Sequence, residues 1–173
     1  MSETLVNKIA ESGLITLKPE EWIPATALAE FDLKDYLFMG MILKEKDFRE
    51  SVKTHDWTQY KDKILCVFCS ADAIIPSWAY MLVATHAANF ASGVFYGNAA
   101  QWRSAKLLEV VQQMDVASYE DQRIIIKGCS EEYAIGPEIY LALTNRLVPV
   151  VRSLMFGEPC STVPVYKRPK TNG

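Results

Sequence analysis

Tyr60–Ser70 (YKDKILCVFCS) and Tyr119–Ser130 (YEDQRIIIKGCS) decide the fold. Each opens on Tyr-x-Asp, runs through a short apolar stretch and stops at Cys-Ser. The likeness continues downstream, in Pro76-Ser-Trp-Ala-Tyr80 with Val94-Phe95-Tyr96-Gly97, and in Pro137-Glu-Ile-Tyr140 with Leu154-Met155-Phe156-Gly157. The offset stays near sixty residues throughout. Five coincidences in one order read as an internal repeat over residues 60–97 and 119–157, made by duplication. The alternative is two ordinary βαβ units that one physics has shaped alike.

Each copy has legible local structure. Ile64–Phe68 and Arg123–Lys127 are short, rich in β-formers and apolar on both faces, as buried parallel strands are. Pro137 after Gly136 is a good first helical position. The helix beginning near Trp78 would carry Met81, Leu82 and Thr85 on one face. Its counterpart would carry Tyr140, Leu143, Thr144 and Leu147. Between the copies, Ala99–Met114 reads as an amphipathic helix with Leu107, Val110, Val111 and Met114 in line. This alternation predicts an α/β fold, a single domain spanning 1–173, with a mostly parallel sheet and helices on both faces. Residues 1–58 are expected to form a covering segment. In it, Lys8-Ile9 reads as helix, Leu14–Leu17 as strand, and Asp32–Met39 and Lys44–Val52 as helix. No Pro-, Gly- or Ser-rich linker divides the chain.

Bulk composition removes several classes of function. The 173 residues are 50% hydrophobic and 23% charged, which is globular composition and not that of a disordered chain. A net charge of −3 gives no reason to expect a nucleic-acid partner. The basic run Lys167-Arg168 with Lys170 reads as a solvated end. The most apolar stretch, Met81–Ala91, is interrupted by His86 and Asn89 and is too short to span a bilayer, so no membrane association and a cytoplasmic location are expected. In that compartment four cysteines are thiols or metal ligands, not disulfides. Lys44–Glu50 reads as a solvated helix face with a Lys46–Glu50 pair, and the tryptophans as core or interface anchors.

The candidate site follows from strand direction. In an open parallel sheet all carboxyl ends share one edge, and ligands bind there. Cys69 and Cys129 each end a repeat-leading strand, and Cys160 follows the last strand. With strand order 2-1-3-4 the leading strands would be neighbours at ~4.8 Å. Three thiolates there could hold zinc with a fourth ligand, or iron in an iron–sulfur cluster. Asp72 and Glu158 are nearby carboxylates; Glu131 and His86 are further candidates. Cys66, inside a strand, reads as core. Two other readings stay open. One is a small-molecule enzyme with an activated cysteine in the same cleft, although neither His55 nor His86 lies within obvious reach as a base. The other is a homo-oligomerising interaction module with structural cysteines. No Gly-x-Ser-x-Gly elbow and no Gly-rich phosphate loop is present.

Leu43–Glu50, His55–Trp57, Cys69–Pro76, Lys127–Ser130 and Ser153–Pro164 together resemble a bacterial family, domain of unknown function 2480. The resemblance covers nearly the whole chain and brings no assigned activity. The resemblance implies a family whose genes often lie near iron–sulfur assembly genes, and with it a link to that process and partners among its proteins.

Overall fold

A computed structural model describes residues 13–128, 134–158 and 160–170. In chain order the strands are β1 (Leu14–Leu17), β2 (Leu28–Asp32), β3 (Ile64–Phe68), β4 (Gly93–Tyr96), β5 (Arg123–Ile126), β6 (Ser153–Glu158) and β7 (Ser161–Lys167). The helices are α1 (Glu45–Thr54), α2 (Ser77–Ala87), α3 (Ala99–Gln113) and α4 (Pro137–Leu147). The architecture is mixed α/β with mostly parallel strands, as expected.

Those strands divide between two sheets instead of lying in one. One sheet has the order β2-β3-β4 and the other β1-β5-β6-β7, with only β7 antiparallel to its neighbour. The chain accordingly forms two compact units, Pro24–Arg103 and Met1–Ile23 with Ser104–Gly173. No linker marks the division, because one crossing falls inside α3, where a continuous helix hides it.

The expected order 2-1-3-4 therefore does not hold, and β3 and β5 are not neighbours. Each takes its second partner from the first third of the chain. Leu28–Asp32 pairs with Ile64–Phe68, and Leu14–Leu17 with Arg123–Ile126. What was expected to be a covering segment supplies a strand to each sheet. The helix expected over Asp32–Met39 is also absent. Asp32 ends β2 and caps a short 3-10 turn, Leu33–Tyr36, by accepting from the Lys34 amide. Beyond it the chain reverses at Met39 and Gly40, both at positive φ, to close a Phe38–Ile42 bridge. Lys8-Ile9 lies outside the described residues. On α1 the ion pair formed is Glu45–Arg49, not Lys46–Glu50.

In the first unit Phe31, Leu65 and Val67 bury one sheet face against Phe48 and Val52 of α1 and Ala79, Val83 and Ala87 of α2. The face expected of α2 is wrong. Met81 is 69% exposed and Thr85 points to solvent, while small Ala79 and Ala87 sit on the sheet. That helix is apolar nearly all round, so hydrophobic spacing could not choose its inner side. In the second unit Leu17, Ile124, Ile126 and Leu154 pack on Leu107 and Val111 of α3 and Ile139, Leu143 and Leu147 of α4.

The repeated residues have matching roles. Tyr60 and Tyr119 each end a 3-10 turn, and Asp62 and Asp121 follow at φ 61° and 54°. The amides of those aspartates donate to Phe90 and Val150 carbonyls, sixty residues apart. Gly97 and Gly157 lie at φ 128° and 120°, and a Cβ at Gly157 would sit 2.6 Å from the Ser161 carbonyl oxygen. Tyr-x-Asp and Phe-(x)-Gly are thus backbone requirements on entering the leading strand and leaving the second one. Aspartate tolerates the left-handed region better than most residues do. Asp62→Ala and Asp121→Ala should therefore each lower stability by ~1 kcal/mol in urea unfolding, while the glycine variants lose nothing.

Candidate functional site

Of the three cysteines proposed as one centre, Cys69 and Cys160 fall in different units. Cys69 follows β3, half-buried, its Sγ donating to the Ala71 carbonyl at 3.6 Å. Cys160 is exposed at the β6–β7 turn of the other unit. Cys129 and Glu131 lie outside the described residues. Cys66 is fully buried, as expected. Asp72 is exposed in the loop after β3, and the Glu158 carboxylate lies 3.8 Å from Lys127 Nζ. Among the described residues no group of three or more His, Cys, Asp or Glu side chains could hold a metal ion. Nor does any helix there have the length and apolarity to cross a membrane.

At Cys69 itself a site is built. Parallel β3 and β4 end side by side, and a cleft of about 380 Å³ opens at their carboxyl ends. Cys69, Ser70, Tyr80, Tyr96, Asn98 and Gln101 line it. The rings of Tyr80 and Tyr96 meet edge to face, with centroids 5.3 Å apart. Tyr96 is 75% exposed and presents a flat aromatic surface at the mouth. Burial, then the neighbouring Tyr96 and Cys69, push the Tyr80 phenol above its ordinary pKa, so it remains a neutral hydrogen-bonding group.

The cleft walls are pinned from both sides. Asp32, at the end of β2, accepts from the Ser70 amide at 3.0 Å and the Ser70 hydroxyl at 2.5 Å. Burial alone would raise the Asp32 carboxyl, but the bonds from Ser70 and from the Lys34 amide outweigh it and hold the pKa below the ordinary value. On the other side Asn98 and Gln101 cap α3 reciprocally, each side-chain oxygen accepting from the other's amide. Glu30 accepts from the Ala99 amide at 2.9 Å. The positive end of α3 is therefore matched by a protein carboxylate. No lysine or arginine lines the cleft. These features favour an uncharged ligand over an anion.

Sequence reasoning picked out Cys69 and its loop but missed Asp32, Glu30, Tyr96 and the Asn98–Gln101 cap. Tyr80 and the Phe-(x)-Gly position of Tyr96 were visible as repeat matches. Their meeting across helix and strand was the missing step. The second unit repeats that ring pair as Tyr140–Phe156, also 5.3 Å apart and at 88°. There it borders an apolar groove of about 300 Å³ with Leu141 and Val165.

Both histidines belong to an aromatic cluster in the first unit. His86 stacks on Trp57, and His55 meets the edges of Phe31 and Trp57. His55 Nε2 lies 2.8 Å from the Tyr60 hydroxyl and Nδ1 3.4 Å from that of Tyr36. Burial pushes Tyr60 up to about 12 and pulls His55 below its ordinary 6.5. Burial thus favours the uncharged forms of His55 and Tyr60 within this packed cluster.

A family model described as "Protein of unknown function (DUF2480)" matches residues 3–168, and the chain belongs to that family. No curated protein and no solved structure matches it.

The lowered His55 pKa has a consequence for stability. Below pH 6.5 the unfolded chain takes up a proton that the folded chain resists. The stability linked to neutral His55 is thus fully present above pH 6.5 and is lost as the pH falls through the lower folded value. Urea midpoints should fall from pH 7 to pH 5, and His55→Gln should flatten that slope.

Proposed function

We propose that this protein is a small-molecule-binding module whose ligand enters the carboxyl-edge cleft of Pro24–Arg103. The ligand class is a small neutral molecule with a flat, hydrogen-bonding ring. One observation carries the reading: Cys69, Tyr80, Tyr96, Asn98 and Gln101 converge on a single cleft at the ends of two adjacent parallel strands. Open α/β sheets place their ligands at such an edge. A volume of about 380 Å³ falls within the range of known ligand pockets.

Chemistry at Cys69 has less support than recognition. A nucleophilic thiol needs a base or cation to form its thiolate. Here the thiol donates to a loop carbonyl, and both histidines belong to the aromatic cluster. Tyr96 suits stacking, Tyr80 and the Asn98 and Gln101 amides suit hydrogen bonding, and the thiol suits a soft contact at the cleft floor.

Differential thiol labelling tests this reading, with nicotinamide and adenosine as neutral planar probes. Either probe should protect Cys69 from iodoacetamide while exposed Cys160 reacts regardless. Tyr96→Ala and Gln101→Ala should each weaken the protecting probe by about tenfold, a loss typical of a stacking or buried polar contact. Cys69 labelling unaffected by both probes, with no amide shifts over residues 68–73 and 96–101, would sink the proposal. Stoichiometric zinc or iron in the purified protein, lost with Cys69→Ser, would also overturn it in favour of a cysteine metal centre.

A further inference from the structure

We infer a second, chemically opposite site in the other unit: a groove at the amino edge of β5 and β6 that binds a small multivalent oxyanion of the phosphate type. Register creates it. Arg123 of β5 pairs with Ser153 of β6, and Ser153 pairs with Lys167 of β7. Side chains abreast in adjacent strands share a sheet face, so Arg123 and Lys167 flank Ser153 and stand about 10 Å from each other, two interstrand spacings. Exposed Arg152 precedes Ser153, and exposed Lys170 follows the strand that carries Lys167. Together with Arg168 they border a groove of about 440 Å³.

That basic edge is built, not a solvated tail. The Arg168 amide donates to the Arg152 carbonyl at 2.9 Å, and its guanidinium donates to the Val150 carbonyl at 2.6 Å. Asp121 lies 3.5 Å from Arg168, and no Asp or Glu is among the lining residues. Arg168 is thereby spent on structure and holds the turn of chain that presents Arg152, Lys167 and Lys170. Positive charge is thus gathered at one edge of a unit in a chain whose net charge is −3. Guanidinium forks with flexible ammonium groups are the set that grips phosphate oxygens, and the Ser153 hydroxyl at the centre adds a donor. Met155, Pro164 and Tyr166 supply an apolar wall that could take an attached organic group.

Isothermal titration of the full chain with tripolyphosphate, ATP and AMP at low and moderate salt tests the site. Tripolyphosphate should bind, AMP more weakly, and both affinities should fall as salt rises. An ATP affinity above that of tripolyphosphate would support the groove and add the apolar wall as a contact. The Arg152→Gln/Lys167→Gln double variant should weaken tripolyphosphate by tenfold or more, about the effect of losing two charge-assisted contacts. Lys106→Gln, a surface cation paired with Glu109, should bind like the parent chain. Both exchanged positions are exposed, so an unchanged thermal midpoint separates lost binding from lost folding. Binding unaltered in the double variant, or no tripolyphosphate binding, would overturn the assignment. So would a single-stranded oligonucleotide binding where tripolyphosphate does not. The cleft at Cys69 plays no part in these readouts.

Discussion

Everything at the Cys69 cleft depends on β3 having a parallel partner on each side. A central strand uses its amides and carbonyls in both directions, so its end cannot drift. The neighbours then stitch its end: Asp32 holds Ser70 just beyond it, and the Gly97 amide donates to the Val67 carbonyl within it at 2.9 Å. Because side chains alternate across a strand, a slip of one residue would turn Leu65 and Val67 out of the core. Burial of those two residues thus fixes the register that sets Cys69 at the cleft. The core determines the site through geometry and need not touch it.

The two repeats show how one scaffold comes to carry different chemistry. Each delivers a ring pair, Tyr80–Tyr96 or Tyr140–Phe156, at the same separation. Each then leaves its second strand through a glycine at positive φ. After Gly97 the chain enters α3, and the cap of that helix supplies the Asn98 and Gln101 amides. After Gly157 it enters the hairpin to β7, which supplies Val165 instead. The first continuation leaves a polar cleft and the second an apolar groove. The two units part company just past the shared glycine.

Strands were the most legible part of the fold. Ile64–Phe68 was correct to the residue, because an apolar run bounded by charge on one side and Cys-Ser on the other admits little else. Leu143 and Leu147 were legible for the same reason, the outer side of α4 being more polar. The inner side of α2 was not, since alanines and large apolar residues alternate around it. Strand partners were the real failure. Pairing is nonlocal, and nothing in Leu14–Leu17 or Leu28–Asp32 announces which strand each will join. Expecting β3 beside β5 brought Cys69 and Cys129 together, and two separate sheets removed that neighbour relation. Cys69 remained at a carboxyl edge because that inference needed only strand direction, and its polar partners were hidden because they come from β2 and α3.

Direction also explains where the basic residues of the last ten positions go. A parallel final strand would carry Lys167 to the carboxyl edge, beside Lys127 and Glu158. Instead β7 runs antiparallel, pairing Ser161 with Glu158 and Lys167 with Ser153. The short connection from Glu158 to Ser161 requires that reversal, since a parallel return needs a crossover. The antiparallel pairing of the last strand thus sets the charge at the amino edge. The sequence shows the lysines, but only the direction of the strand that carries them shows which edge they reach.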